Sequence, residues 1–163
     1  MKTIFITGAS SGIGKATARF FQEKGWQVAA AVRKPESLAD LAVLPGIKVY
    51  RLDVTDPASI SAAAAQAIAD FGTIDVLLNN AGYAAVGAFE LVSEESVRRQ
   101  METNVFGLMN VTRAFLPHFR QRRSGTVINV SSVGGQITFP LYSLYHTSKW
   151  AVDGFSESLH YEL

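Results

Sequence analysis

Short apolar runs alternate with helix-patterned segments along the whole chain, and that alternation leaves few folds open. The apolar runs are KTIFIT (2–7), WQVAAAV (26–32), IKVYRL (47–52), IDVLLNN (74–80) and TVINVS (126–131). They are rich in β-branched residues and almost unbroken in hydrophobicity, as strands buried on both faces must be. The segments between them carry helical spacing and helix punctuation. GIGKATARFFQEKG (12–25) is expected to turn Ala16, Ala18 and Phe20 to one apolar side and to stop at Gly25. Residues 35–43 open on a proline suited to the first helical position. Asp56 caps a helix over 56–72 that Gly72 ends. Residues 93–123 read as one long helix, bent or loosened near Pro117, and the chain from 142 onward reads as another. The alternation predicts the α/β class: a doubly wound parallel sheet of the Rossmann type, in a single domain over residues 1–163.

The first run enters TGASSGIG (7–14), and a helix follows at once. A strand, a tight turn and a helix N-terminus aim free backbone N–H groups and the positive end of the helix dipole at one spot, which suits a phosphate. Gly8 permits the turn, Gly12 leaves room for a pyrophosphate, and Gly14 lets the helix pack close to the sheet. Ser10, Ser11 and Ile13 complete the loop and count with it as cofactor-binding residues. The spacing is GxxxGxG rather than the commoner GxGxxG, and a purely structural turn is the alternative. Its place at the start of a βαβ unit favours the dinucleotide. The second run ends AAAVRK, with no carboxylate for a ribose 2′-hydroxyl and with Arg33 and Lys34 following. A 2′-phosphate is drawn to Arg33, which favours NADP(H) over NAD(H).

Tyr145 stands four places before Lys149 in a segment that reads as a buried helix. Residues four apart share a helix face, within about 6 Å at Cβ. A phenol ionises near pH 10, and an ammonium held a few Å away favours the phenolate. The pair is either an accident of helix packing or a device for proton transfer. With a serine-bearing strand before it and a dinucleotide loop at the start of the chain, the second reading prevails.

Taken in order, TGASSGIG (7–14), LDVTD (52–56), NNAG (79–82), Asn104 in METNVFG, INVSSVGG (128–135) and YHTSK (145–149) resemble the short-chain dehydrogenase/reductase family. They follow the family's order and spacing across nearly the whole chain. The resemblance implies an oxidoreductase that transfers a hydride between NADP(H) and a small carbonyl or alcohol substrate. It implies Tyr145 as general acid and base, and Ser132 as the hydroxyl that fixes the substrate oxygen. It implies Lys149 as partner of Tyr145 and of the nicotinamide ribose, and Asn104 as a structural residue whose water links Lys149 to solvent. Asp53, with Val54 beside it, corresponds to the adenine contact; Asn80, Ala81 and Gly82 correspond to the backbone along the cofactor's ribose. Ser132 is preferred to Ser131 because it directly precedes VGG and lies thirteen places before Tyr145. Tyr142 is a poor rival for Tyr145, since His146 and not a lysine stands fourth after it. Gln136, Phe139 and Tyr142 are placed to line the substrate entrance and suggest an apolar compound. The family also implies a homodimer or homotetramer built through the helix after Ser93 and the helix carrying Tyr145.

Family members continue beyond this last helix with a strand, a turn, a mobile substrate loop, a helix and a final strand, whereas this chain stops at SESLHYEL. The expectation is the N-terminal and catalytic-motif portion of a longer chain. Two explanations stand: the ordered or surviving part of a longer protein, which is favoured, or a true fragment. The alternative function is then a catalytically incompetent module that binds a dinucleotide or a partner chain. In either case the fifth run is left as an open sheet edge.

Composition narrows the partners. Apolar residues make up 48% and charged residues 18%, a globular balance, and the net charge of +1 gives no pull toward nucleic acid or an anionic membrane. The absence of cysteine excludes disulfides, thiol nucleophiles and cysteine-held zinc, and suits the cytoplasm. No signal-peptide pattern or membrane-length run is present, so a cytoplasmic location is expected. His118, His146 and His160 lack metal-ligand spacing, so no metal is expected, and RQRR (120–123) sits at a helix C-terminus where cations suit the dipole.

Overall fold

The computed structural model describes residues 1–163. Its strands are β1 (Thr3–Thr7), β2 (Gln27–Val32), β3 (Ile47–Arg51), β4 (Val76–Asn79) and β5 (Thr126–Asn129). All pair in parallel, in the order β3-β2-β1-β4-β5. The helices are α1 (Gly12–Glu23), α2 (Ala39–Ala42), α3 (Pro57–Phe71), α4 (Glu94–Met101), α5 (Leu108–Arg122) and α6 (Ser143–Glu162). A 3₁₀ turn over Pro35–Leu38 precedes α2, and a π-helical segment over Glu102–Gly107 joins α4 to α5.

Alternation along the central strands fills two cores. Phe5, Ala29, Ala31 and Leu77 point to one face, where α3 and α5 bring Ile60, Ala64, Val111 and Phe115. Ile4, Ile6, Val28 and Ala30 point to the other, against Ala18, Leu38 and Leu41. Every residue of β1 is buried, as a central parallel strand requires. β5 pairs with β4 alone, and Ile128 is 42% exposed on that edge. No helix is long and apolar enough to cross a membrane.

Three expectations need correction. On α1 the inward residues are Gly14 and Ala18, whereas Ala16 is exposed and Phe20 is 53% exposed. Gly14 brings the start of this helix close to the sheet, and Phe20 packs edge-on against Phe21, which itself packs against the core. The long helix does not give way at Pro117, which lies inside α5. The missing N–H leaves the carbonyl of Arg113 without a helical partner, and both residues are exposed, so water can serve it. The irregularity falls at Glu102–Gly107, where Gly107 passes so close to the loop after β3 that a Cβ would lie 2.9 Å from Val54 O. Residues 35–43 form a 3₁₀ turn and one turn of helix rather than a single helix.

Polar side chains bolt the layers together. Asn79 Nδ2 donates to Thr112 Oγ1 at 2.9 Å and to Asn129 Oδ1 at 2.9 Å, and Asn129 Nδ2 donates to Ser156 Oγ at 2.8 Å, so β4, α5, β5 and α6 share one network. At the opposite end of the strands, Arg122 donates to Ile74 O and to Asp75 Oδ1, and Asp75 Oδ2 accepts the Thr3 N–H. His118 Nε2 accepts the Ile74 N–H at 3.1 Å. That bond needs an unprotonated nitrogen. Burial, and then the charge of Arg122, hold His118 below its ordinary value of 6.5.

The stability this histidine contributes is therefore complete above its unfolded value and is lost as pH falls through the lower folded one. Thermal melts between about pH 7.5 and about pH 5 are expected to fall more steeply for the wild type than for His118→Gln, whose amide oxygen keeps an acceptor at every pH. Parallel slopes would show that His118 does not titrate with unfolding.

Candidate functional site

The strand order reverses between β1 and β4, and a crevice of about 900 Å³ opens beyond their carboxyl ends. Such switch points are where open α/β sheets bind ligands. Its first wall is the loop after β1. Gly8 (φ +66°) and Gly12 (φ +52°) adopt left-handed backbone, and nothing lies within 4 Å of where a Cβ on Gly12 would be. Gly14 is not on the wall. A Cβ there would lie 2.5 Å from Gly8 O and 2.5 Å from Asn80 Nδ2, so its role is close packing. Ser10, Ser11 and Ile13 line the crevice with Gly8 and Gly12. The Ser11 side chain forms no cap hydrogen bond, which leaves the first amides of α1 uncapped at the mouth of the site.

The loop is tied to β4 by reciprocal bonds. Thr7 Oγ1 accepts the N–H groups of Asn80 and Ala81, both at 3.0 Å. Asn80 Nδ2 donates to Thr7 O at 3.1 Å and Gly8 O at 3.0 Å. Asn80, Ala81 and Gly82 thereby form the floor. At the ends of β2 and β3, Arg33, Asp53 and Val54 join the lining. Asp53 Oδ1 accepts from Thr55 N at 3.0 Å and from Thr55 Oγ1 at 2.8 Å. The Thr55 backbone N–H, helped by the Thr55 hydroxyl and by the charge of Arg33, holds the Asp53 carboxyl below the usual aspartate value against the opposing effect of burial.

Tyr145 and Lys149 close the far end from α6. Lys149 is 8% exposed. Its Nζ donates to Val130 O at 2.7 Å and stands 5.7 Å from the centre of the Tyr145 ring. Burial pushes the ammonium below the usual lysine value, and the charge of Asp153 opposes that push. Asn104 lies buried behind the wall, in the π-helical segment. Its Nδ2 donates to Tyr83 O at 2.8 Å and to Ser148 Oγ at 3.0 Å, and its Oδ1 accepts the Tyr83 N–H at 3.1 Å. Ser132 stands beside the crevice rather than in it, its Oγ accepting the Gly134 N–H at 3.1 Å, while Ser131 lines the wall.

Sequence reasoning missed several contributors. Tyr83 and Ala84, on the loop after β4, and Arg99 and Thr103, on α4 and the π-helical segment, line the crevice, a tertiary fact with no local motif. Ser148, fully buried, bonds Asn104 and the Tyr145 carbonyl and so fixes α6 against the wall. A serine directly before Lys149 on the inner helix face was the available signal. His146 is buried, with Nδ1 donating to Gly134 O and Nε2 accepting the Phe139 N–H; the serine turn is thereby anchored to α6.

A family model described as short chain dehydrogenase matches residues 2–163. A 3-ketodihydrosphingosine reductase from Bacteroides thetaiotaomicron is 45% identical over 160 residues, which are 98% of this chain and 58% of that protein. A short-chain dehydrogenase from Streptomyces avermitilis of known structure shares 43% identity, with a TM-score of 0.94 over 99% of this chain and 60% of that one. An actinorhodin polyketide ketoreductase crystallised with NADPH shares 31% identity, with a TM-score of 0.93 over 99% of this chain and 64% of that one. The chain thus spans less than two thirds of the length of these proteins.

The two glycines separate packing from access. Gly14→Ala is expected to cost about 3 kcal/mol, because its Cβ meets a backbone oxygen that cannot yield. Gly12→Ala, strained but unobstructed, is expected to cost about 1 kcal/mol. Urea unfolding of the two variants checks the order; equal losses would contradict the packing role of Gly14.

Proposed function

The chain belongs to the short-chain dehydrogenase family, and from that premise we propose that it moves a hydride between NADP(H) and a carbonyl or alcohol substrate. The observation that carries this reading is a buried amine, Lys149, held by Val130 O beside the Tyr145 ring, at the end of a crevice that begins at the glycine loop. The residues present fit a dinucleotide: uncapped amides at the start of α1, open space over Gly12, and room of about 900 Å³ between that loop and Tyr145. Bound NADPH supplies the hydride. Gly8, Ser10, Ser11, Gly12 and Ile13 would hold its pyrophosphate, Arg33 its 2′-phosphate, Asp53 and Val54 its adenine, and Asn80, Ala81 and Gly82 its ribose.

Tyr145 then gives its proton to the carbonyl oxygen in reduction and takes the alcohol's proton in oxidation. Lys149 would hold positive charge near the Tyr145 hydroxyl and would donate hydrogen bonds to the nicotinamide ribose. Ser132 accepts from Gly134 N–H, which leaves its own proton to donate to the substrate oxygen. Both amide protons of Asn104 are taken by Tyr83 and Ser148, so a relay water here binds its remaining Oδ1 lone pair or its main-chain carbonyl. Exposed Val133, Ile137, Phe139 and Leu141 follow Ser132, which supports an apolar substrate, as does the similarity to a 3-ketodihydrosphingosine reductase. A dimer or tetramer would be built through the helix after Ser93 and the helix carrying Tyr145, a reading that exposed Phe106 and Trp150 support. A chain matching 58% of its relative also permits a second reading, a module that binds dinucleotide without turning over.

Tyr145→Phe is expected to lower carbonyl reduction by roughly 10²–10⁴-fold while NADPH binding, read by fluorescence titration, stays within about twofold. Full activity in that variant would refute the role of Tyr145. NADPH binding without turnover in the unaltered chain favours the second reading. Arg33→Ala is expected to weaken NADPH binding by about tenfold or more and to leave NADH binding unchanged; equal losses for both would remove the 2′-phosphate role.

A further inference from the structure

His146 follows Tyr145 directly on α6 but does not line the crevice. The residue is 4% exposed, and its ring is bonded at both nitrogens. Nε2 receives the Phe139 N–H at 2.8 Å, and Nδ1 lies 2.9 Å from Gly134 O. A backbone amide only donates and a carbonyl only accepts. The two partners therefore admit one state of the ring, a neutral imidazole with its proton on Nδ1. The other tautomer and the charged form would each set an N–H against the N–H of Phe139.

The turn before α6 is shaped around that ring. A Cβ on Gly134 would lie 2.6 Å from His146 Nδ1 and 3.0 Å from its Cε1, so glycine is what lets the imidazole reach the carbonyl. The same Gly134 gives its N–H to Ser132 Oγ at 3.1 Å. Ser132 and His146 thus hold the two sides of one residue, and the place of the hydroxyl depends on the place of the ring. The second nitrogen holds the next stretch. Residues 138–142 are neither helix nor strand, and Phe139 and Leu141 are exposed. Leu141 is left-handed (φ +68°), a backbone that a residue other than glycine keeps only where its surroundings fix it. Gly87 N–H holds Leu141 O at 2.9 Å, and His146 holds both sides of that residue: Nε2 takes the Phe139 N–H, and its own N–H binds Tyr142 O at 2.8 Å.

We propose that His146, as the neutral Nδ1–H imidazole, is a positioning residue: through Gly134 it sets the Ser132 hydroxyl relative to Tyr145, and through Phe139 it holds the apolar entrance segment on α6. The proposal rests on the reading of Ser132 and Tyr145 as the groups that meet the substrate oxygen, and it adds the side chain that fixes the first against the second. His146 and Tyr145 are neighbours on one helix, so a serine turn that slips from His146 slips from Tyr145 as well.

The test is NMR of the ¹⁵N-labelled 163-residue chain at neutral pH, with the His146 ring signals identified by their loss in His146→Asn. The wild-type ring is expected to show a protonated Nδ1 and a bare Nε2. His146→Leu removes both ring bonds and is expected to speed amide exchange at Gly134 and at Phe139 by about tenfold each. His146→Asn places an amide N–H where Nδ1 stood and cannot reach Phe139. It is expected to keep the wild-type rate at Gly134 and to speed Phe139 alone. A side chain that only filled space would give no such split. A ring protonated on Nε2, or an unchanged rate at Gly134 in His146→Leu, overturns the proposal. If His146→Leu does not fold, the wild-type ring and His146→Asn decide: the split supports the proposal, and its absence overturns it. With NADPH and acetophenone as the ketone, His146→Leu is expected to lower kcat by roughly 10- to 100-fold and His146→Asn to recover most of that loss; full kcat in His146→Leu also overturns the positioning role. Absent turnover in the wild type defeats the hydride-transfer reading, whereas the ring state and the exchange rates judge His146 alone.

Discussion

Two side chains hold the carboxyl ends of β1 and β4 together, and the crevice depends on them. Thr7 receives two backbone amides of the strand exit across from it, and Asn80 returns two bonds to the carbonyls of Thr7 and Gly8. Buried backbone groups at a strand end must find partners. Here side chains supply them, so the main chain can turn away from the sheet without orphaned amides. The gap that opens between the two loops sits where the strand order reverses. Gly14 completes the arrangement by letting α1 rest on Asn80, which aims the helix N-terminus along the floor of the gap.

The other side of the crevice is held by the same means. α6 does not reach the crevice by hydrophobic packing alone. Ser148 ties it to Asn104, Ser156 ties it to Asn129, and Lys149 ties it to Val130. Asn104 in turn grips both the N–H and the carbonyl of Tyr83. The π-helical segment allows that grip, because Gly107 draws the helix against the Val54 carbonyl and the extra residue in the turn brings Asn104 to the loop. A buried network of this kind restricts α6 to one position, and with it Tyr145 and Lys149.

The architecture was legible because hydrophobic periodicity and glycine punctuation are local signals. The five strands fall within the expected runs, and thirteen expected site residues share the crevice wall. The misses are tertiary. Whether Phe20 or Ala18 faces inward depends on how near Gly14 lets the helix approach, which no single turn of sequence encodes. Pro117 breaks helices in general but is tolerated where its orphaned carbonyl meets solvent. Arg99 and Thr103 enter the crevice from α4 and the π-helical segment, and Ser148 matters because Asn104 is opposite. Ser131 and Ser132 are alike in sequence; the backbone turns one into the wall and uses the other to cap Val133–Gly135.

The role of the crevice depends on where a dinucleotide lies and what it faces. A crystal structure of the chain with NADPH tests that most directly. The account predicts the pyrophosphate at Gly12 and the start of α1, the 2′-phosphate beside Arg33, and the nicotinamide between Val130 and Tyr145, with Lys149 on its ribose. A dinucleotide bound elsewhere, or one whose nicotinamide points away from Tyr145, would contradict it.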